Sequence, residues 1–501
     1  MKMKSLLTSL LTSALLSSAA FAADLKIGLQ EDPDVLDPDQ SRTFVGRIIY
    51  ASLCDKLVDI NPQLEIIPRL ATDWTWSEDG LELTMNLRQD ATFHDGTPFN
   101  AQAVIDNIDR SQNLPESRRK SQVKSITKVE AMGDHTVKFT LANPDATLLS
   151  QFADRAGMML SPTAAKAAGV DFGNKPICSG PYKFVERVQQ DRMVLEKFSE
   201  HWDADKYAFD KVTFLPIPDT TVRLANLRSG DLDMLERLAP SDAAAVKADD
   251  ALQYEEIVGL GYQGVTFNVA NGDQSANPAA QNAKIRKAFS LAIDRQAISK
   301  VVFEGIYAPG NQPYPPTSPW YNQDDPVPAR DVEAAKALLK EAGQENLTLE
   351  VQVTNNPVQT QLMQVVQSMV ADAGIQVKLK SMEFASLLAD QSAGKYQASQ
   401  IGWSGRIDPD GNIHQFMTCK GGINDSKYCN PEIDKLLDAA RTSNDVAARK
   451  EKYVAAQKIL SSDLPIVYLY HQAWIFALNK NIGGFTPYPD GMIRLEGMTK
   501  K

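Results

Sequence analysis

Along most of the chain the apolar residues switch between two spacings, every second residue and every third to fourth. That switching confines the fold to mixed α and β structure. Leu81, Leu83, Met85 and Leu87 alternate with polar neighbours, as do Val137, Phe139 and Leu141, and both runs are expected as half-buried strands. Asn100 stands before a helical stretch over 101–110 and is its expected N-cap. Val358, Leu362, Val365, Val366, Met369 and Val370 share one helical face. Gly374 then supplies a stop, and Ile375, Val377 and Leu379 alternate as the next strand. Ile285, Ala288, Phe289, Ala292 and Ile293 form another helical stripe. Helix followed by strand in the second half is the order of an α/β lobe. The 501 residues suffice for about three units of ~150 residues each. No low-complexity linker separates them, so crossing strands rather than a tether are expected to join them. Trp74 and Trp76 share one strand face and are expected in the core.

The first 22 residues carry a different signal. Lys2 and Lys4 precede an apolar, Ser/Thr-dotted run from Leu6 to Ala19, followed by Ala20-Phe21-Ala22. This is the layout of a secretory signal peptide cleaved near Ala22. The run is shorter than the roughly 20 apolar residues a membrane span takes, and no later stretch is apolar enough to cross a bilayer. No cysteine lies near the cleavage point to take a lipid anchor. Removing residues 1–22 takes away two lysines and moves the formal charge from −11 to −13. That balance excludes a general nucleic-acid binder, which needs a basic footprint.

An exported chain with four cysteines, Cys54, Cys178, Cys419 and Cys429, is expected to pair them as disulfides. Three connectivities are formally open. Cys419 and Cys429 flank a Gly-rich polar loop that closes easily, and a bridge there contributes about 2–3 kcal/mol by loop entropy. The pairing Cys419–Cys429 is therefore expected, which leaves Cys54–Cys178. The sequence has neither CxxC nor histidines at ligand spacing, so neither a metal nor another cofactor is expected.

Residues 70–110 read LATDWTWSEDGLELTMNLRQDATFHDGTPFNAQAVIDNIDR. Within them Trp74, Asp79-Gly80, Leu87-Arg88 and the run from Phe93 to Pro98 form one ordered set. Val35-Leu36-Asp37-Pro38, Ser179-Gly180-Pro181-Tyr182, Leu227 to Asp233, Phe267-Asn268, Ile285 to Arg295 and Asp463 to Ile466 extend it across nearly the whole mature chain. In that order these motifs resemble family 5, the peptide-type extracellular solute-binding proteins of ABC transporters. The resemblance implies a type II two-lobe periplasmic-binding-protein fold of the large class. Lobe 1 would span 23–262, with an extra subdomain at about 60–175, and be completed by 477–501. Lobe 2 would span 263–476. The chain would cross between lobes near 262–268 and 470–477, forming a two-strand hinge. It further implies a periplasmic monomer that captures small peptides or a related polar solute. Such a protein delivers its solute to ABC permease subunits and meets the membrane only through them. No catalysis is implied: His94-Asp95 reads as a turn, and HExxH, GxSxG, P-loop and GxGxxG elements are absent from the sequence. An exported peptide hydrolase is the rival from another class.

The ligand contacts are expected around Gly402 to Asn412. Peptide-binding family members place an aspartate three residues after the tryptophan, to pair with the ligand's amino terminus. Here that position holds Arg406, and the following Asp408-Pro409 comes sooner. A guanidinium suits carboxylate or phosphate, not ammonium. Three accounts stay open. Asp408 takes the amine; or Arg406 meets an anionic or sugar-like solute such as an opine, sugar phosphate or oligosaccharide; or Arg406 pairs locally with Asp408 or Asp410. Trp403 is expected to stack on the ligand or wall the cleft, and Arg42, Thr43 and Phe44 to line it from lobe 1.

Overall fold

The computed structural model describes residues 24–501; the expected signal peptide lies outside the described residues. Two large sheets carry the molecule. The seven-stranded sheet runs in the order Leu252–Val258, Ala473–Asn479, Met234–Glu236, Asp24–Leu29, Lys211–Pro216, Arg192–Lys197 and Tyr182–Val188. The six-stranded sheet runs Ala308–Pro309, Ile466–His471, Tyr262–Phe267, Ala398–Trp403, Leu347–Thr354 and Ile375–Met382. Both mix parallel and antiparallel pairs. A separate four-stranded antiparallel sheet, Ala71–Trp76, Glu82–Leu87, Thr136–Leu141 and Ile126–Gly133, packs on the helix Ala101–Asn113 with its own core.

The alternating runs fold as their spacing demands. Leu83, Met85 and Leu87 face inward from Glu82–Leu87, and Val137, Phe139 and Leu141 from Thr136–Leu141. Asn100 caps its helix by accepting from the Ala103 amide at 3.0 Å, and the helix continues three residues past 110. Pro357–Ala371 is the helix read from its stripe, and Gly374, at φ +95°, turns the chain into Ile375–Met382. Trp76 departs from expectation: it is 38% exposed. Its strand is the outer one of the four-stranded sheet, and the ring sits at the strand's last residue, past the core that half-covers Trp74.

The chain passes from one large sheet to the other twice. Leu252–Val258 leads through Gly259-Leu260-Gly261 into Tyr262–Phe267, and Ile466–His471 leads through Gln472 back to Ala473–Asn479. The Gly259 amide donates to the Gln472 carbonyl at 3.1 Å, tying the two crossings together. Both expected disulfides, Cys54–Cys178 and Cys419–Cys429, are formed.

His94 and Asp95 have separate partners. The His94 ring accepts from the Cys178 amide at 3.3 Å and donates to the Gly180 carbonyl at 2.9 Å, and burial pushes it down to about 4, so it is neutral. Asp95 holds Ser161 and Thr97. The pair is a turn clamp and not an acid–base dyad.

Candidate functional site

Between the two sheets lies an open cleft of about 1520 Å³, the solvent at its mouth included, lined by residues from both sides. On the first side, the Asp34 carboxylate accepts from Ser41 Oγ (2.7 Å), the Arg42 amide (2.7 Å) and Thr43 Oγ1 (3.0 Å). Three bonds to one carboxylate fix this loop, and Thr43 then caps the helix Phe44–Leu53 by accepting from the Gly46 amide at 3.2 Å. Phe44 and Arg47, one turn apart, therefore face the cleft together. Phe44 stacks on Trp474 with ring centroids 4.4 Å apart. Thr43 itself is buried beneath the loop and does not line the cleft.

On the opposite side, Trp403 ends the strand Ala398–Trp403 and meets Phe416 edge-on at 5.0 Å. The chain then reverses at Gly405, at φ +88° with the Leu260 backbone against it, so that a Cβ there would lie 2.3 Å from the Leu260 carbonyl carbon. Asn412 clamps the turn, accepting from the Arg406 amide (2.8 Å) and donating to the Leu260 carbonyl (2.9 Å).

That reversal decides where Arg406 goes. Its guanidinium lies 4.1 Å over the Trp403 ring and forms an ion pair with Asp154, in the segment that packs on the four-stranded sheet. The local partners weighed for it are engaged elsewhere: Asp408 with Arg449 at 2.7 Å and Asp410 with Arg441 at 2.6 Å. Asp408 is held away from the cleft lining, buried against Arg449. Asp154 also takes Arg47 at 2.8 Å. Burial alone would raise the Asp154 carboxyl, but Arg406, Arg47, Arg155 and Arg119 outweigh it and hold it well below the usual carboxylate range.

Arg42 reaches across the cleft to Asp425 (2.5 Å) and Ser392 Oγ (2.5 Å), and Arg47 to Ser404 Oγ (3.1 Å). Five arginines line the cleft, Arg42, Arg47, Arg119, Arg155 and Arg237, against two carboxylates, Glu31 and Asp425. Burial, with Glu236, Glu383 and Asp34 nearby, pushes the Glu31 carboxyl up to about 7 against the pull of Arg237. Sequence reading had located Trp403, Arg42 and Phe44, which line the cleft. It missed Arg47, Arg119, Arg155, Arg237 and Glu31, because no motif or spacing marks them and only the tertiary fold gathers them. Among the described residues no group of three or more His, Cys, Asp or Glu is placed to hold a metal ion, and no helix is long and apolar enough to cross a membrane.

Comparison with known proteins agrees with this architecture. The chain is 29% identical to the glutathione-binding protein GsiB of Pectobacterium atrosepticum over 500 residues, covering 97% of this chain and 96% of that one. It superposes with a TM-score of 0.89 on the dipeptide-binding protein of Pseudoalteromonas sp. SM9913 in complex with Met-Leu, at 25% identity, covering 95% of this chain and all of the other. The protein AgaA of A. tumefaciens R10, in complex with agropinic acid, superposes at 0.85 with 26% identity, covering 96% and 99%. The fold is the type II two-lobe periplasmic-binding-protein fold. Residues 65–424 match the sequence signature of the bacterial extracellular solute-binding proteins, family 5, and the chain belongs to that family.

Proposed function

We propose that the protein captures a short peptide or a peptide-derived polar solute between its lobes and delivers it, unaltered, to the permease subunits of an ABC importer. The cleft carries this reading: its walls come from both lobes, and charged groups meet across it at Arg42–Asp425 and Arg406–Asp154. A solute touching both walls favours the closed arrangement by its differential contacts. Relatives named for glutathione, Met-Leu and agropinic acid make small conjugated or peptide-like solutes the class to test first. Trp403 and Phe44 serve as the apolar walls, and Arg42 as the contact between lobes. Asp408, committed to Arg449, is not assigned the amine-binding role.

In this reading residues 1–22 are a signal peptide removed near Ala22, and the mature protein works as a periplasmic monomer. The first lobe is 23–262 completed by 477–501, with its subdomain at about 60–175, and the second is 263–476. Native mass spectrometry of the gently purified protein, followed by a thermal-shift panel of di- and tripeptides, glutathione, opines and oligosaccharides, tests the proposal. A solute at 100 times its Kd is expected to stabilise the fold by about 2.7 kcal/mol. Absence of any co-purifying mass and of any shift across the panel, or hydrolysis of the peptides, overturns it.

A further inference from the structure

A side chamber of about 560 Å³, the solvent at its mouth included, opens off the cleft, and Gln30, Glu31, Thr354 and Phe384 line both. Its charge is opposite to that of the cleft. Three acids, Glu31, Asp32 and Glu383, line it and no Lys, Arg or His does, whereas five arginines line the cleft. The acids come from both sides. Glu31 and Asp32 follow the strand Asp24–Leu29 of the seven-stranded sheet. Glu383 follows Ile375–Met382 of the six-stranded sheet and caps the helix Phe384–Ser392, accepting from the Ala385 and Ser386 amides at 2.9 Å. Arg187 neutralises Asp32 at 2.8 Å. The other two acids are not matched. Among the described residues Glu383 has no ion pair, and the Glu31 carboxylate accepts no hydrogen bond although the residue is 7% exposed. Its one cation, Arg237, stands 3.7 Å away and is closer to Glu236, at 3.3 Å. Thr354 ends the strand Leu347–Thr354, is 8% exposed, and its Oγ1 has no partner among the described residues.

Carboxylates gathered in a buried place repel one another, and a cation set between them relieves both the repulsion and the lost solvation. We propose that the chamber binds a primary ammonium carried on an aliphatic arm of the solute, held between Glu31 and Glu383 with Thr354 Oγ1 as a further acceptor. Phe384, Pro216 and Pro218 offer apolar surface to the arm. An ammonium's three donors point in three directions and suit acceptors on two walls, whereas a flat guanidinium fork suits a single carboxylate. The Asp408 turn, closed by Arg449, takes no part. Burial, with Glu236, Glu383 and Asp34, outweighs Arg237 and pushes the Glu31 carboxyl up to about 7, which is how an acid stands where negative charge collects without a cation. An ammonium touching groups from both sheets also favours the closed arrangement. This assignment rests on the cleft being the solute site, and it adds one feature of the solute.

Calorimetric titration with matched dipeptides tests it: Lys-Ala and Ala-Lys, each against its norleucine, Nε-acetyl-lysine and arginine counterparts. One lysine peptide is expected to bind the wild-type protein at least about tenfold more tightly than its neutral counterparts at pH 8. At pH 6 the advantage should narrow, because Glu31 then keeps its proton. At pH 7, titrations in buffers of different ionisation enthalpy should show protons released on binding the lysine peptide and none on binding the norleucine peptide. Glu31→Gln is expected to abolish both the advantage and the proton release while leaving norleucine-peptide affinity close to wild type. Glu383→Gln should abolish the advantage too. Glu383→Asp, which keeps both charge and helix cap, should retain part of it and guards against a variant that fails to fold. Equal affinity for lysine and neutral peptides overturns the chamber while solute capture stands. Equal losses for both kinds of peptide in the variants make the acids structural and overturn it too. An arginine peptide binding more tightly than its lysine counterpart overturns the ammonium assignment. If no peptide binds the wild-type protein, the peptide reading and the chamber fall together.

Discussion

At the scale of single residues, the cleft shows how burial decides ionisation. Glu31 sits with its carboxyl at about 7 instead of its ordinary 4.5, first because burial penalises its charge and then because Glu236, Glu383 and Asp34 add negative potential, with Arg237 opposing. Between those two values the folded protein holds a proton that the unfolded chain has released. The Glu31 contribution to stability is therefore fully present below pH 4.5 and is lost as pH rises through about 7. The loss is on the order of 3 kcal/mol. Glu31→Gln keeps the shape of the neutral carboxyl and cannot titrate. Denaturant melts of the ligand-free protein should show the variant matching wild type at low pH and exceeding it above neutrality, with a shallower slope between. A slope unchanged by the substitution rules out Glu31 as its source. Nothing in the sequence around Glu31 announced this. Its surroundings come from strands distant in sequence: the Gln30 amide donates to Glu236 Oε1 at 2.7 Å, a bond that ties the end of the first strand to Met234–Glu236. The Arg406 substitution was legible as a charge reversal. Its partner was not, because Asp154 is far away in sequence and only the Gly405 reversal aims the guanidinium at it.

At the scale of elements, periodicity recovered what local spacing controls: the strand Glu82–Leu87, the Asn100 cap, and the helix–glycine–strand unit from Pro357 to Met382. Sheet order was not recoverable. The first strand, Asp24–Leu29, pairs in parallel with Lys211–Pro216 and Met234–Glu236, partners selected by global packing and not by any neighbouring turn. Trp76 failed for the same reason, since a strand's position at the sheet edge is invisible to its own alternation. The crossing between lobes is the most tightly specified connection. A Cβ on Gly261 would come within 1.8 Å of the Trp403 carbonyl, while the Gly261 carbonyl receives the His471 ring at 2.7 Å. Backbone blocks the added methyl, so relief requires moving one strand against another. Gly261→Ala is expected to destabilise by about 1–3 kcal/mol as an overpacked site, read as a lower urea midpoint at unchanged m-value. It should also weaken solute binding, because Trp403 is displaced with its carbonyl. A midpoint equal to wild type would show that the crossing tolerates the shift.

At the scale of the whole molecule, closure depends on how much of the closed state's stability comes from protein–protein contacts and how much from solute. Arg42 to Asp425 and Ser392, Arg47 to Ser404, and Arg406 to Asp154 all join the two lobes through the protein's own groups. Arg441 adds a bond to the Ser121 carbonyl at 3.2 Å, and its own carbonyl accepts from the Ala146 amide at 3.0 Å. Each contact biases the lobes toward closure, and apparent affinity scales with the population competent to bind. The Arg42–Asp425 pair is the one to remove, because it is less buried than Arg406–Asp154 and both of its residues line the cleft. Breaking Arg406–Asp154 instead would disturb a buried cluster and confound closure with stability. Asp425→Asn keeps volume and a hydrogen bond to Arg42 but loses the charge. Affinity for whichever solute the panel identifies is then expected to fall roughly three- to tenfold. Small-angle scattering should show a larger radius of gyration for the ligand-free variant than for ligand-free wild type, with the two converging once solute is added. Weaker binding at an unchanged ligand-free radius would mean that Asp425 acts on the solute directly and not on closure. Unchanged binding and radius together would mean that the remaining contacts across the cleft suffice to hold it shut.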